Sequence, residues 1–199
     1  MDKIVLASNN AGKVREINEL LKAYDINVVP QGDYAVDSVE ETGLTFVENA
    51  IIKARYAALK TGLPAIADDS GIEVDALNGA PGIYSARFSG EGASDKDNNK
   101  KLLEMLSGVE EARRTARYQC VMVFMRHAAD PTPIIASGHW EGIILNAPKG
   151  SSGFGYDPLF YIPTHQCSAA EMSPELKNKL SHRSKALISL LHKLQEMAL

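Results

Sequence analysis

The sequence has few of the features that mark secreted, membrane-spanning or nucleic-acid-binding proteins. Only two of its 199 residues are cysteines, so we expect no disulfide framework and a cytoplasmic location. It has no apolar run long enough to span a bilayer, and its first residues, MDKIVLASNN, lack the pattern of a signal peptide. The net charge of −4 gives no basic field for nucleic acid or anionic lipid. We therefore expect the protein to bind neither nucleic acid nor a membrane. Any phosphate ligand must be bound by a local group of basic side chains.

The chain also lacks internal repeats, low-complexity segments and a linker that would divide it. Short apolar runs alternate with amphipathic periods, which predicts one α/β domain over residues 1–199, with two lobes and a mixed sheet. Strands are predicted at 3–7, 26–30, 64–69, 116–127 and 132–145, the last two forming an antiparallel hairpin. Helices are predicted after residue 12 and at 45–60, 95–106 and 181–197, the third capped by Ser94.

The stretch SNNAGK joins the first strand to the first helix and could bind an anion. Backbone N–H groups at a helix start, side-chain amides and a lysine ammonium would meet there. The residues are Ser8, Asn9, Asn10, Ala11, Gly12 and Lys13. The spacing does not match a Walker A loop, and an ordinary capped turn is the alternative.

Two adjacent carboxylates, Asp68 and Asp69, stand at the end of the strand predicted at 64–69. Ligands of open α/β sheets bind at the carboxyl ends of strands, and two buried carboxylates need a cation or hydrogen-bond donors. Glu40 and Glu41 form a second acidic pair, and oxygen ligands of this kind suit Mg²⁺. A solvated Asp-Asp-Ser-Gly turn is an equally good interpretation of the aspartate pair.

The stretch SSGFGYDP, residues 151–158, sets Phe154 and Tyr156 between glycines and before Asp157. Aromatic rings in such a segment could stack on a nucleobase, although both could equally be core residues of a bent strand.

The stretch KLSHRSKA begins the last predicted helix with Ser181, His182 and Arg183. His182 or Arg183 could donate to a base or a phosphate. An N-cap serine with two solvated neighbours is the alternative.

Five stretches in this order carry a family resemblance: LASNNAGKVREI, EETGLTFVENAIIKA, ADDSGIEVDALNGAPGIYSARFSG, GFGYDPLF and SHRSKAL. Over nearly its whole length the chain resembles the inosine/xanthosine triphosphate pyrophosphatases, and most closely the bacterial members. The resemblance implies an elongated, two-lobed α/β fold around a central mixed sheet with flanking helices. It also implies a nucleotide cleft between the lobes and a homodimer.

The resemblance further implies Mg²⁺-dependent hydrolysis of ITP, dITP and XTP to the monophosphate and pyrophosphate, which removes deaminated purines from the nucleotide pool. Asp69 would then be the catalytic carboxylate and a metal ligand, Glu41 the second ligand, and Asp68 a supporting group. The implied substrate-binding residues are Ser8, Asn9, Asn10, Ala11, Gly12, Lys13, Lys53, Ser70, Phe154, Gly155, Tyr156, Asp157, Lys177, His182 and Arg183.

Two other functions stay open at this point. One is a related pyrophosphatase for pyrimidine or methylated nucleotides. The other is a nucleotide-binding regulatory module without turnover, which the presence of Asp69, Glu41 and Lys13 disfavours.

Overall fold

Strands and helices alternate through the first half of the chain in the computed structural model, which describes residues 3–21, 24, 26 and 28–196. The strands are β1 Ile4–Leu6, β2 Val28–Pro30, β3 Ala65–Val74, β4 Thr115–Met125, β5 Ile134–Ile144, β6 Phe160–Ile162 and β7 Cys167–Ser168. The helices are α1 Ala11–Leu21, α2 Phe46–Thr61, α3 Asp95–Met105, α4 Pro174–Leu180 and α5 His182–Glu196. The predicted elements are confirmed within a few residues except at the end of the third strand, and positions 27 and 197 of two of them lie outside the described residues.

All seven strands belong to one sheet, in the order β2-β1-β3-β4-β5-β6-β7. Strand β1 is parallel to both β2 and β3, whereas β6 is antiparallel to β5 and β7. Strands β4 and β5 are neighbours joined by a short connection, as the predicted hairpin requires, because parallel neighbours need a longer crossover. The expected mixed sheet with flanking helices is therefore confirmed.

Strand β3 corrects the prediction that a strand ends at the aspartate pair. It continues through Asp68 and Asp69 to Val74. The Asp-Asp-Ser-Gly sequence favours a turn in isolation, but Gly71 lies so close to a neighbouring segment that an added Cβ would stand 2.2 Å from the carbonyl oxygen of Gly82. The hydroxyl of Ser85 then accepts from the next backbone amide of the strand at 2.9 Å. Tertiary packing thus keeps residues 68–71 extended, although their own sequence favours a turn.

Helices α2, α3 and α4 begin at polar caps. Thr45 caps α2 by accepting from the backbone N–H of Glu48, and Gly62 ends that helix in the left-handed conformation. Ser94 caps α3 through a capping box with Asp97, as predicted. Helix α4 was not predicted, although its start, Ser173 followed by proline, is a recognisable helix signal.

The chain groups into two compact units. The first contains the described residues up to Asp69, Cys120–Gly138 and those from His182 onward. Within it, two apolar clusters lie on opposite faces of the sheet: one joins Ile66 of β3 to α1 and α5, and the other joins Ala65 and Ala67 to α2. The second unit, Ser70–Gln119 and His139–Ser181, has its own core around Phe160 and Trp140.

Among the described residues, none of the helices has the length and apolar character needed to cross a bilayer.

Candidate active site

The turn between β1 and α1 is a capped helix start. The side chain of Asn10 accepts from the backbone N–H of Lys13 at 3.1 Å, and Ser8 accepts from the N–H of Asn10 at 3.3 Å. Asn9 donates to the hydroxyl of Ser38 at 3.0 Å. The capped-turn alternative is thus correct for the local structure. Capping does not exclude an anion site, because the first N–H groups of a helix have no partners within that helix.

The pleat of β3 separates the two carboxylates. Successive side chains of a strand point to opposite faces of its sheet, so Asp68 continues the face of Ile66 and Asp69 the face of Ala67. Asp68 therefore meets α1 and α5, whereas Asp69 meets α2. Both are buried, at 1% and 4% exposure, and each must be compensated on its own face.

Asp68 is held by cations. The ammonium of Lys13, from α1, lies 2.9 Å from its Oδ2, and Nε of Arg183, from α5, lies 3.5 Å from the same oxygen. Burial alone would raise the pKa of Asp68, but the positive charges of Lys13, Arg183 and Lys53 outweigh it and hold this pKa well below its ordinary value. Asp68 is therefore ionised at neutral pH and pairs with two basic side chains.

Asp69 lies in a different electrostatic environment. The ammonium of Lys53, from α2, donates to its Oδ1 at 2.7 Å and to Oε1 of Glu41 at 2.7 Å. Burial raises the pKa of Asp69 above its ordinary value, because it outweighs the attraction of Lys53 and Lys13, and the charge of Glu41 adds to the rise. The pKa values of the two adjacent carboxylates are thus shifted in opposite directions. Asp69, whose pKa is raised, is the better proton acceptor.

Sequence reasoning missed Asn49, which is fully buried one helical turn before Lys53. Its amide donates to Oδ2 of Asp69 at 3.4 Å, and its oxygen accepts from the backbone N–H of Gly43 at 2.8 Å. It therefore joins the segment that carries Glu41 to the carboxylate on β3. The signal in the sequence was its position: a polar residue inside the apolar stripe of α2, four residues before a predicted site lysine.

Glu16 was also missed. It accepts from the guanidinium of Arg183, which is 2% exposed, and thus completes the buried network around Asp68. The close packing of α5 on β5 sets the position of Arg183, because a Cβ on Gly138 would lie 2.3 Å from the carbonyl oxygen of His182. His182 is buried beside it. The structure thus brings Arg183 next to Asp68, the carboxylate that also pairs with Lys13.

Glu41 and Asp69 fit a divalent cation. Their oxygens already share one cation, the Lys53 ammonium, so both face the same point. Within residues 3–21, 24, 26 and 28–196, no three His, Cys, Asp or Glu side chains form a metal-binding group. A metal would therefore take its remaining ligands from water and substrate phosphates, which is the usual coordination of Mg²⁺. Asp68 faces the other side of β3 and does not belong to this pair.

In the second unit, Asp157 organises the stretch SSGFGYDP. Its Oδ2 accepts from the backbone N–H of Phe154 at 2.9 Å and from the ammonium of Lys177 at 2.7 Å, and Tyr118 donates to its Oδ1 at 3.2 Å. Lys177 also lies 4.8 Å above the centre of the Phe154 ring. Gly153 is required next to this carboxylate, because its φ is +80° and a Cβ would lie 2.1 Å from Oδ2 of Asp157.

The two aromatic residues of this stretch differ. Tyr156 is buried in the core of the second unit, and its hydroxyl donates to the carbonyl of Ser85 at 2.8 Å. The core alternative is thus correct for Tyr156, whereas Phe154 is half-buried and Gly155 lies in the turn between them. Ser70, partly exposed, follows Asp69 in β3.

Comparison with known proteins extends these observations. The sequence profile of the Ham1 family matches residues 4–193. The chain is 61% identical over 193 residues to a dITP/XTP pyrophosphatase of Thioalkalivibrio sulfidiphilus, covering 97% of this chain and 98% of that protein. It is 59% identical over 194 residues to a dITP/XTP pyrophosphatase of Vibrio parahaemolyticus, covering 98% and 97%. A solved structure of a HAM1 protein from Coxiella burnetii superposes with a TM-score of 0.91 at 50% identity, covering 98% of this chain and all of that one.

The match extends through both units and includes every candidate site residue between Ser8 and Arg183. The resemblance recognised from five short stretches is therefore confirmed by nearly the whole sequence and by the fold. The chain belongs to the Ham1 family.

Proposed function

We propose that the protein hydrolyses deaminated purine nucleoside triphosphates, namely dITP, ITP and XTP, to the nucleoside monophosphate and pyrophosphate. The observation that carries this proposal is the difference between the two carboxylates of β3. Asp68 pairs with cations on one face of the strand, and Asp69, on the other face, has a raised pKa. This arrangement occurs in a chain 61% identical to a protein named dITP/XTP pyrophosphatase. Such an activity would remove deaminated purines before they enter DNA or RNA.

The turn SNNAGK would bind the triphosphate. The first N–H groups of α1 and its dipole attract phosphate oxygens, and Lys13 adds a full charge. Asp68, ionised and buried, holds the Lys13 ammonium at 2.9 Å and thus restricts where this charge can lie. We assign Asp68 to this anchoring role and Arg183 to its support.

Asp69 would accept the proton of the water that attacks the α-phosphorus. A base positioned beside the attacking water typically accelerates a reaction about 10²- to 10⁴-fold. Lys53, beside it, would stabilise charge that develops on the phosphate oxygens. Ser70, next along the strand, would contact the substrate.

Glu41 and Asp69 would hold Mg²⁺, and water and phosphate oxygens would be the other ligands of the ion. When bound, the ion supplies charge neutralisation at the triphosphate and lowers the pKa of water. Since Lys53 uses the same two carboxylates, we expect its ammonium to exchange one of these contacts for a phosphate oxygen when substrate is bound.

The cluster around Asp157 would read the base. Hypoxanthine and xanthine carry a 6-keto acceptor where adenine carries a 6-amino group. We assign Lys177 as the donor to this keto oxygen, because it is a buried ammonium that lies over the Phe154 ring, on which the base would stack. An adenine at this point would present hydrogens to a buried donor, and binding would be lost.

The test is a substrate panel with Mg²⁺, in which pyrophosphate release is measured for dITP and XTP against dATP and dGTP. We expect the deaminated nucleotides to have the higher kcat/KM. Equal values for all four, or faster release from a pyrimidine or methylated nucleotide, would contradict the proposed substrate class. The proposed homodimer is tested on the same preparation by its sedimentation.

A further inference from the structure

We propose that Asp95 and Asn99, in the first two turns of α3, are positioning residues that clamp the Gly155 peptide and thereby hold the base-reading side chains in place. The inference rests on the proposed function, because it concerns how the stretch around Phe154 and Asp157 is kept in the shape that reads a base. Neither residue belongs to the five motifs that carry the family resemblance.

Both backbone polar groups of Gly155 are bound to α3. Its N–H donates to Oδ2 of Asp95 at 2.7 Å, and its carbonyl accepts from the side-chain amide of Asn99 at 2.7 Å. The same amide also donates to the backbone carbonyl of Asp95 at 2.6 Å, which ties the two residues together. Gly155 has a φ of +62°, a conformation that a glycine adopts readily but does not keep without external contacts. The clamp supplies these contacts.

The clamp acts where the base-reading groups meet. Phe154 and Tyr156 flank Gly155, and the N–H of Phe154 is bound to Asp157, which also binds Lys177. The preceding residues 146–153 are exposed, and the backbone N–H groups of Lys149 and Ser152 donate to Pro158 and Ala170, not to the peptide of Gly155. Fixing the Gly155 peptide therefore fixes the ring of Phe154 relative to the Lys177 ammonium.

Helix capping does not explain Asp95. Asp97 forms the capping box with Ser94, and Asp95 instead reaches 60 residues along the chain to Gly155. Asn99 differs from the adjacent residue Asn98 in its partners. Asn98 is also buried, but its two hydrogen bonds go to Ser89 and Ala86, which are remote in sequence from the base-reading stretch.

The amide of Asn99 is oriented by its two carbonyl acceptors, which leaves its Oδ1 buried. Within the part of the chain that the structure describes, this oxygen has no hydrogen-bond partner.

The experiment compares clamp variants with matched neighbours. Asp95→Ala and Asn99→Ala remove the two contacts, Asp95→Asn keeps an acceptor oxygen, and Asp97→Ala and Asn98→Ala are controls on the same helix. Steady-state kinetics with dITP and dATP would be combined with amide hydrogen exchange at Gly155 measured by NMR. Asp95 is exposed, so its alanine variant is expected to fold.

We expect Asp95→Ala to raise KM for dITP about tenfold with kcat changed less than about threefold, because a lost charge-assisted hydrogen bond weakens binding at the base and not at the phosphorus. The preference for dITP over dATP should fall by a similar factor, and Gly155 exchange should accelerate. Asn99→Ala should behave alike, Asp95→Asn should restore KM, and the two controls should lower only thermal stability.

Unchanged KM and unchanged exchange in both alanine variants would overturn the clamp. So would faster exchange without a change in KM, or an equal rise of KM in the controls. If the wild-type protein releases no pyrophosphate from dITP, the proposed function fails instead, and the exchange of Gly155 alone then decides whether the clamp exists.

Discussion

Replacing Asp68 and Asp69 by asparagine, one at a time, should separate stability from activity. Asparagine has nearly the same shape as aspartate, so each change removes a charge without leaving a cavity. The folded-state pKa of Asp68 is depressed, which means that its ionised form stabilises the fold above the unfolded pKa of about 3.9, and that this contribution is lost as the pH falls through the folded pKa. The pKa of Asp69 is raised, so its ionised form costs stability at neutral pH, and this cost disappears as the pH falls through the folded value.

The magnitudes follow from these partners. Asp68→Asn leaves Lys13 and Arg183 without their shared carboxylate, and breaking a buried ion pair costs about 3 kcal/mol or more. For a chain of this length we expect Tm to fall by about 6–12 °C. Asp69→Asn leaves Lys53 with Glu41 at 2.7 Å and relieves the burial of a charge, so we expect Tm to be unchanged or higher. Its turnover should nevertheless fall about 10²- to 10⁴-fold.

The two variants would be compared at pH 7 by thermal unfolding and by pyrophosphate release from dITP with Mg²⁺. An Asp69→Asn variant that loses more than about 5 °C, or that keeps more than a tenth of wild-type turnover, would refute the assignment of Asp69 as a buried, energetically costly base. An Asp68→Asn variant as stable as the wild type would refute the anchoring role of Asp68.

Three further predictions concern single positions and the metal. Gly43→Ala should lower both Tm and turnover, measured in the same two assays, because a Cβ would lie 2.7 Å from the Asn49 oxygen that accepts from Gly43. The hydrogen bond from Arg126 holds the pKa of Asp130 well below its ordinary value, so Asp130→Asn should cost about 1 kcal/mol at pH 7, and the difference in Tm should shrink as the pH falls below about 4 and through the folded pKa. Chelation of divalent cations by EDTA should abolish pyrophosphate release and added Mg²⁺ should restore it, whereas activity that survives full chelation would exclude the metal role of Glu41.

Local signals in the sequence were enough to place most of the helices. Helix α3 was predicted with Ser94 as its N-cap, and the observed capping box shows why: the residues that start the helix also satisfy its first N–H groups. The last helix was predicted because Leu187, Leu190, Leu191 and Leu194 repeat at helical spacing, and all four are buried on one face. Signals of this kind lie within one element and need no knowledge of its neighbours.

The parts that were not predicted depend on contacts between elements. Strand β3 passes through the aspartate pair because Gly71 packs against Gly82, a contact that the sequence around residue 71 does not contain. The pairing of Arg183 with Glu16 and Asp68 has the same origin, since these two residues come from two other elements. Residue types therefore indicated which groups are candidates for the chemistry, whereas the partners of these groups followed only from the packing of α1, α2 and α5 on the strand.

The continuation of β3 changes what the aspartate pair can do. Had the strand ended at residue 69, both carboxylates could have turned toward one cation as a joint metal site. In an extended backbone, adjacent side chains point to opposite faces, so Asp68 and Asp69 cannot share a ligand. Each is instead paired with a lysine from a different helix, Lys13 from α1 and Lys53 from α2. The strand thus positions the carboxylate partners of both lysines, so a shift of β3 would move both partners together. For this reason a substitution that displaces β3, such as Gly71→Ala, should weaken the ion pairs of both Lys13 and Lys53, and not of one alone.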